Sequence, residues 1–209
     1  MAGRTNRVAV LADAAIELLA EGGMRALTHR AVDARAGLPL GTTSAYLRTR
    51  QALIEAVVRR LVDLDQADLA AGDLPTGPPP VVPGPPLRPA DLDKLAVGIA
   101  EVLDRWLTAG RTRTLARYAC LIEAVHRPEL RSILAPGTLL REQARDLLAR
   151  AGAADPRRQG DQFVAFVDGL LFDRLVGAGA LSAPAPGSPE SRADLTAAVR
   201  TLLHAFAAG

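Results

Sequence analysis

The segment from Arg25 to Leu53 reads RALTHRAVDARAGLPLGTTSAYLRTRQAL. It contains two helix-like runs that meet at Ala36-Gly37, only a few residues apart. The second run is short and polar, since residues 40–46 read LGTTSAY. A helix of this size can bury little, so we expect its exposed side chains to contact something outside the chain.

The ends of these runs carry helix-boundary residues. Thr28 is a good N-cap for a helix over about residues 29–36, and Gly37 ends it. Pro39 fits the first turn of the next helix because the amide hydrogen that proline lacks is not needed there. Thr49 then caps a long helix from about Arg50 to Ala71.

The first and fourth helices complete this part of the chain. Apolar residues of the first helix recur at i, i+3, i+4, i+7, i+8 and i+11, up to a break at Gly22-Gly23. They are Val8, Leu11, Ala12, Ala15, Ile16 and Leu19. The fourth helix is apolar on more than one face, so we expect it to pack against two partners and to join two parts of the molecule.

A proline-rich segment follows the fourth helix. Residues 72–89 read GDLPTGPPPVVPGPPLRP and hold eight of the chain's fifteen prolines. Because proline fixes φ and lacks an amide hydrogen, this pattern predicts an extended or mobile linker. A ligand for an SH3-type domain is the alternative, and a plain connector is the favoured interpretation.

The remainder of the chain predicts only helices. Four further runs precede a second proline-rich loop and a last helix, and no strand pattern or repeat emerges. The runs are 90–108, 112–126, 128–151 with a kink at Pro136-Gly137, 157–180 and, last, 190–207. The sequence therefore predicts an all-α protein of about nine helices.

Composition and charge agree with a globular protein that meets a polyanion at one end. The 209 residues are 49% hydrophobic and 23% charged. Residues 1–60 carry nine arginines against five acids, a balance of +4, whereas residues 61–209 carry sixteen bases and eighteen acids, a balance of −2. A single cysteine and no run of eighteen apolar residues indicate a cytoplasmic protein without a membrane partner.

Two helices joined by a tight glycine turn, the second with small polar side chains, form the helix-turn-helix arrangement. Threonine and serine offer donors, acceptors and methyl groups to base edges in a DNA major groove, and the tyrosine hydroxyl can reach a phosphate. Residues suited to the phosphate backbone surround this helix, either through arginine charge or through helix N-termini. They are Thr28, Arg30, Arg48, Thr49 and Arg50.

At these residues the chain resembles the TetR family of transcriptional repressors. The matching segments are AAIELLAEGG, ALTHRAV, ARAGLPLGTTSAYLRTRQALI and the long helix beyond, over about residues 7–61. Residues 90–209 resemble the family only in helix number and order. The resemblance implies a homodimer with a three-helix DNA-binding head, residues 1–49, and a helical body for ligand binding and dimerisation, residues 50–209.

The resemblance also assigns roles to individual residues. The groove-facing positions would be Leu40, Thr42, Ser44 and Ala45. Arg30 would reach into the groove from the preceding helix, whereas Thr28, Tyr46 and Arg50 would hold phosphates. Thr43 departs from the family, in which this position is normally apolar and buried.

In the body, the resemblance implies an effector pocket and a four-helix dimer interface. Residues with aromatic or apolar side chains and one acid are the candidates for the pocket: Trp106, Tyr118, Ile122, Glu123 and Phe166. An apolar or aromatic effector is expected, with Glu123 meeting any cationic group. The last helix repeats apolar residues at four-three-four spacing, a coiled-coil-like seam. With Leu170 from the preceding long helix, the interface candidates are Leu195, Val199, Leu202 and Phe206.

Two other functions stay open. One is a helical dimerisation protein whose DNA-binding head has decayed, and the other is a helical enzyme. The enzyme is disfavoured because the sequence shows no paired carboxylates, phosphate loop or nucleophile-base pair. Cys120 and Glu123 lie one turn apart but lack a nearby histidine, and the three histidines show no metal-ligand spacing. No catalytic residue, metal or cofactor is expected.

Overall fold

The computed structural model describes residues 2–128, 130 and 138–207. Within these ranges the chain forms helices, turns and loops without a strand, which confirms the all-α class. The ten helices of this part are α1 (Ala2–Ala26), α2 (His29–Arg35), α3 (Thr42–Tyr46), α4 (Arg50–Ala71), α5 (Pro89–Leu107), α6 (Arg111–His126), α7 (Thr138–Arg150), α8 (Pro156–Val176), α9 (Gly179–Ser182) and α10 (Pro189–Ala207).

Most predicted helix ends agree with the structure because a local capping residue sets them. Thr28 Oγ1 accepts a hydrogen bond from the Ala31 amide and begins α2, and Thr49 Oγ1 accepts one from the Ala52 amide and begins α4. The Gly22-Gly23 break is also present, since Gly23 leaves helical geometry at φ 60°. The predicted kink at Pro136-Gly137 lies outside the described residues.

Three predicted helices are shorter than expected. Within the described residues, the run predicted over 128–151 is α-helical from Thr138 to Arg150, whereas Pro128 and Leu130 have 3₁₀ conformation. The third helix begins at Thr42 and not near Pro39, because Gly41 adopts a left-handed conformation, φ 90°, and the Thr42 amide donates to the Pro39 carbonyl in a turn. Leu40 therefore lies in the turn. The helix predicted over 157–180 ends at Val176, where Gly177 has extended backbone, and a separate short helix follows.

The chain divides into two compact units, and the division differs from the boundary predicted at residue 49. The first unit comprises residues 1–65 and 110–136, and the second comprises residues 66–109 and 137–209. Most of α4 and all of α6 thus belong with the three N-terminal helices. The reason is their shared core, which contains residues of α1, α4 and α6: Leu11, Leu19, Leu53, Val57, Ala116 and Cys120.

Ion pairs join the helices of the first unit. The Arg60 guanidinium on α4 donates to both carboxylate oxygens of Asp13 on α1, at 2.7 and 3.0 Å. Arg117 on α6 donates to both oxygens of Asp65 on α4 at 2.5 Å, and both of these side chains are largely buried. Paired geometry of this kind fixes the rotation of each helix as well as its distance from its neighbour.

In the second unit α5 packs against α10, and α7 packs against α8. Asp104, a buried carboxylate near the end of α5, accepts from the Gly187 amide and from Ser191 Oγ, both at 2.9 Å. It thereby ties the loop before α10 to α5. Among the described helices, none has the length and apolar character needed to cross a bilayer.

Candidate DNA interface and internal cavity

The turn between α2 and α3 is held by the carboxylate of Asp33. Its Oδ1 accepts from the Thr43 amide at 2.7 Å and from Thr43 Oγ1 at 2.6 Å, and its Oδ2 accepts from the Gly41 amide at 2.7 Å. Gly41 is the N-cap of α3 and has no side chain with which to cap it. Asp33 therefore supplies from α2 the cap that α3 cannot supply for itself.

This arrangement determines the charge of Asp33. Burial of the carboxyl raises its pKa, but the bonds from Thr43 Oγ1, the Thr43 amide and the Gly41 amide, with His29 nearby, outweigh burial and leave the pKa below its ordinary value. Asp33 is thus a carboxylate at neutral pH. The buried hydroxyl of Thr43, at a position that is normally apolar in the resembling family, serves as one of its donors.

Further contacts fix α2 and α3 against the rest of the first unit. His29 Nε2 lies 2.6 Å from the Leu47 carbonyl oxygen, so this nitrogen carries the hydrogen and donates. Arg35 at the end of α2 pairs with Glu17 and Glu21 on α1. The hydrogen bond from Arg35 lowers the pKa of the Glu21 carboxyl. Together these contacts give a five-residue helix a fixed position.

The outward face of this helix-turn-helix is small and basic. Leu40 is 70% exposed in the turn, and Ser44 and Ala45 are exposed on α3. Arg30 on α2 and Arg48 after α3 are exposed on the same segment of chain. Thr42 Oγ1 donates to the Pro39 carbonyl at 2.6 Å, so this hydroxyl offers an acceptor and a methyl group to the outside.

Three of the residues predicted to hold phosphates have main-chain partners inside the protein. Arg50 Nη1 donates to the Leu27 carbonyl and Nη2 donates to the Met24 carbonyl, each at 2.6 Å. Its guanidinium therefore ties the start of α4 to the end of α1, which revises the predicted phosphate role of this side chain. Thr28 and Thr49 use their hydroxyl oxygens as helix caps, leaving the helix N-termini themselves to meet an anion.

Sequence reasoning missed Asp33. The signal in the sequence was the charge of Asp33 directly after the apolar residue Val32 in a predicted helix. The structure shows that Val32 is fully buried. Asp33 also stands ten residues before Thr43, the polar residue found where an apolar one was expected. Two polar residues that each break an apolar pattern can satisfy one another, and here they do.

The second unit contains an apolar cavity of about 110 Å³. Residues of α4, α5, α7, α8 and the segment after α4 line it, including Leu69, Val102, Trp106, Leu140, Phe163 and Val167. Gln143 and Asp168 are its polar lining residues. Trp106 donates from Nε1 to Asp68 Oδ2 at 3.0 Å, and Arg105 lies 3.5 Å from the other oxygen of the same carboxylate.

The structure places only one of the five predicted pocket residues, Trp106, at this cavity. Tyr118, Ile122 and Glu123 lie on α6, which belongs to the first unit, and are not among the cavity's lining residues. Phe166 is 52% exposed on α8 and stacks on Phe206 with ring centroids 6.1 Å apart. The acid at the cavity is therefore Asp168 and not Glu123. The helical spacing had shown which residues share a face but not which face meets the cavity.

Two further candidates for chemistry are the Cys120 thiol and a metal site. Cys120 is buried in the core of the first unit, and burial, with a contribution from Glu123, raises the pKa of its thiol to about 12. A thiol with this pKa is not a thiolate at neutral pH. In the described ranges no three His, Cys, Asp or Glu side chains gather in a way that could hold a metal ion.

A protein-family model described as the tetracycline repressor-like C-terminal domain matches residues 90–205, more than half of the chain. The chain belongs to the TetR family of transcriptional regulators. This match covers the part of the chain in which sequence reasoning found only the number and order of helices. No curated protein sequence matches the chain.

Solved structures agree with membership of the TetR family. A TetR-family member from Streptomyces coelicolor A3 is 26% identical, with a TM-score of 0.66 and coverage of 95% of this chain and 97% of that one. The multidrug-binding protein EbrR, solved with ethidium, is 25% identical, with a TM-score of 0.60 and coverage of 95% and 97%. A transcriptional regulator from Rhodococcus sp. Rha1, at 23% identity, TM-score 0.69 and 94% coverage of both chains, shares the fold.

The predicted dimer residues of this TetR-family chain divide into two groups. Leu195 and Val199 are fully buried inside their own unit, where α10 packs on α5, so they are core residues and the predicted seam is revised. Leu170, Leu202 and Phe206 are only half-buried. The four-three-four spacing identified an apolar stripe correctly, but half of that stripe, Leu195 and Val199, faces the chain's own core.

Proposed function

We propose that this TetR-family protein is a homodimeric repressor that binds operator DNA through α3 and releases it when a small aromatic effector enters the cavity of the second unit. The observation that carries the DNA-binding half is the Asp33 carboxylate. Three hydrogen bonds converge on it to hold a five-residue helix whose outward side chains are small and polar. A helix that buries so little needs such support only if its position matters.

The chemistry of α3 and its neighbours suits the major groove. Ser44 and the acceptor of Thr42 can read base edges, whereas Leu40 and Ala45 can contact thymine methyl groups. Arg30 and Arg48 supply positive charge, and the N-termini of α2 and α4 present unpaired amides to phosphates. Tyr46, half-buried at the end of α3, keeps its predicted phosphate role.

The outer face of α8 supports the dimer. Phe166 and Val176 are exposed apolar residues of α8, Leu170 between them in sequence is half-buried, and Phe206 of α10 stacks on Phe166. Gly169 precedes Leu170 on this helix, and outside its chain neighbours and its own helix backbone no described atom lies within 4 Å of the place where its Cβ would be. Glycine inside an exposed helix destabilises it by about 1 kcal/mol relative to alanine. A close crossing by the partner's helix accounts for this glycine.

The cavity supports the effector. Its lining is apolar and aromatic, and Asp168 is the acid of that lining, where a cationic group would meet it. EbrR has been solved with ethidium and with proflavin, which are aromatic and positively charged. At about 110 Å³ the cavity is smaller than the roughly 150 Å³ that holds benzene in an engineered case, so a three-ring effector must displace its walls. Binding that moves walls can be linked to DNA affinity.

A gel-shift and fluorescence-anisotropy titration against the promoter of its own or an adjacent divergent gene tests the proposal. Ser44→Ala should lower the ratio of operator to random-DNA affinity, because a lost base contact costs about 1–3 kcal/mol. Arg30→Ala should weaken both DNAs. Arg158→Ala, at an exposed arginine on α8, is the matched control and should change neither.

The salt dependence of the DNA affinity distinguishes a DNA-binding head that is active from one that has lost DNA binding. With roughly four to six phosphates per half-site, the affinity should fall with a log–log slope of about −0.9 per phosphate. A slope near zero would leave a helical dimerisation protein as the function. Ethidium should release the operator, and the operator should weaken ethidium binding by the same factor, since linkage is reciprocal.

A further inference from the structure

The segment between α4 and α5, residues 72–88, is fixed to the second unit near both ends. We call it the proline strap. Near its start, the Gly77 amide donates to Gln66 Oε1, and the Gly77 carbonyl accepts from Gln143 Nε2, both at 2.8 Å. Near its end, Arg150 Nε donates to the Pro85 carbonyl at 3.0 Å, and the Leu87 amide donates to the Arg150 carbonyl at 2.8 Å. The segment predicted to be an extended or mobile linker is thus held by hydrogen bonds at these two places.

The proline strap lies between two spaces. Its residues Leu74 and Pro75 form part of the lining of the apolar cavity. A larger groove, about 660 Å³, lies beneath the rest of the strap and is bordered by α5 and α7. Pro75, Gln143 and Leu147 line both spaces, so they form the wall between the groove and the cavity.

Gln143 stands at the centre of this arrangement. It is one of the two polar residues of the cavity, and its amide group donates to the strap at Gly77. An amide can exchange one hydrogen-bond acceptor for another of similar strength, so this contact can open at little net cost when a replacement acceptor arrives. The proline rings of the strap restrict its backbone, so it should move as a stiff segment rather than melt residue by residue.

We propose that the proline strap gates the cavity, and that an effector enters from the groove by replacing Gly77 as the hydrogen-bonding partner of Gln143. This proposal rests on the effector response proposed above, because the effector is the molecule that the gate would admit. The opening of the strap itself can be measured without any effector. Opening the wall joins the small cavity to the groove, which gives a three-ring molecule the volume that the cavity by itself lacks. Gln143 then selects effectors that carry an acceptor, and Asp168 those that carry a cation.

The gate can be tested without any effector, because Trp106 is the only tryptophan of the chain, is buried, and lines the cavity. Acrylamide must reach the cavity to quench its fluorescence. Gln143→Leu keeps the wall filled but removes the bond to Gly77, and Gln66→Leu removes the other bond to the same residue. Each should raise the bimolecular quenching constant about fivefold, the Boltzmann factor of one ordinary hydrogen bond.

The matched control is Gln162→Leu, an exposed glutamine on α8, which should quench like the unchanged protein. In stopped-flow experiments with proflavin, the two strap variants should bind faster by a similar factor. Unchanged quenching in both variants would overturn the gate, even if proflavin still binds and releases DNA. Faster quenching without any proflavin binding would support the gate and count instead against the proposed effector class.

Discussion

Replacing Asp33 tests the mechanism that positions α3. Asp33→Ala removes the acceptor for the amides of Gly41 and Thr43 and for the Thr43 hydroxyl. Asp33→Asn keeps one oxygen but turns an NH₂ group towards a donor. Thr43→Val removes one donor and leaves no buried polar group without a partner, because Asp33 Oδ1 still accepts from the residue-43 amide, so it is the mild member of the series.

The magnitude follows from the fate of each donor. The Thr43 amide is buried, and a buried donor without a partner costs about 1–3 kcal/mol. The Gly41 amide can turn to water and contributes less. We expect Asp33→Ala to lower the free energy of unfolding by about 2–4 kcal/mol, Asp33→Asn by about 1–2 and Thr43→Val by less than about 1.

DNA affinity should respond more than global stability. A five-residue helix does not persist without tertiary support, so loss of its cap disorders α3 within an otherwise folded protein. A shift of about 2 kcal/mol in that equilibrium lowers the apparent DNA affinity by up to about thirtyfold, because only the ordered fraction binds. Urea denaturation followed by circular dichroism and anisotropy titration would measure the two effects. Wild-type affinity in folded Asp33→Ala would refute the reasoning.

The acid limb of the stability profile provides an independent check. Since the pKa of Asp33 in the folded protein lies below its ordinary value, its stabilising contribution is full above the unfolded pKa and is lost as pH falls through the folded one. Wild type should therefore lose stability relative to Asp33→Asn below about pH 4, whereas the difference between them should be constant near neutrality. A difference that instead grows on acidification would contradict the sign.

Further predictions concern the second unit and the core. Gly169→Ala would stabilise a solvent-exposed helix by about 1 kcal/mol. It should nevertheless weaken the proposed dimer in sedimentation experiments, because the added Cβ occupies the place where the partner's helix is proposed to cross. A tighter dimer would count against that crossing. Asp168→Asn should weaken ethidium about tenfold, as expected for one lost charged contact, while leaving an uncharged aromatic probe unaffected; equal loss of both would exclude an ionic role. Cys120, with a thiol pKa of about 12, should resist a maleimide at neutral pH until urea unfolds the protein, and rapid labelling of the folded chain would contradict its burial.

Local signals in the sequence determined the helices and the helix-turn-helix. Thr28 and Thr49 cap their helices by bonds to residues three positions away, and the Gly23 break needs only its own backbone freedom. Such contacts lie within one turn of chain, so they can be read from order and spacing alone. The small polar residues of α3 likewise predicted a helix with an exposed outer face, which needs no knowledge of where that helix packs.

Only the tertiary structure decided which faces meet. Leu195 and Val199 belong to an apolar stripe that either a partner or the chain's own α5 could cover, and α5 covers it. Tyr118 and Glu123 have the right chemistry for a pocket, but α6 packs with α1 in the other unit. Asp33 and Thr43, and Gln143 and Gly77, are partners separated by 10 and 66 residues. Periodicity shows that a helix face is apolar or that a polar group needs a hydrogen-bond partner. Which distant segment covers that face or pairs with that group depends on how the helices pack, and no local pattern encodes that choice.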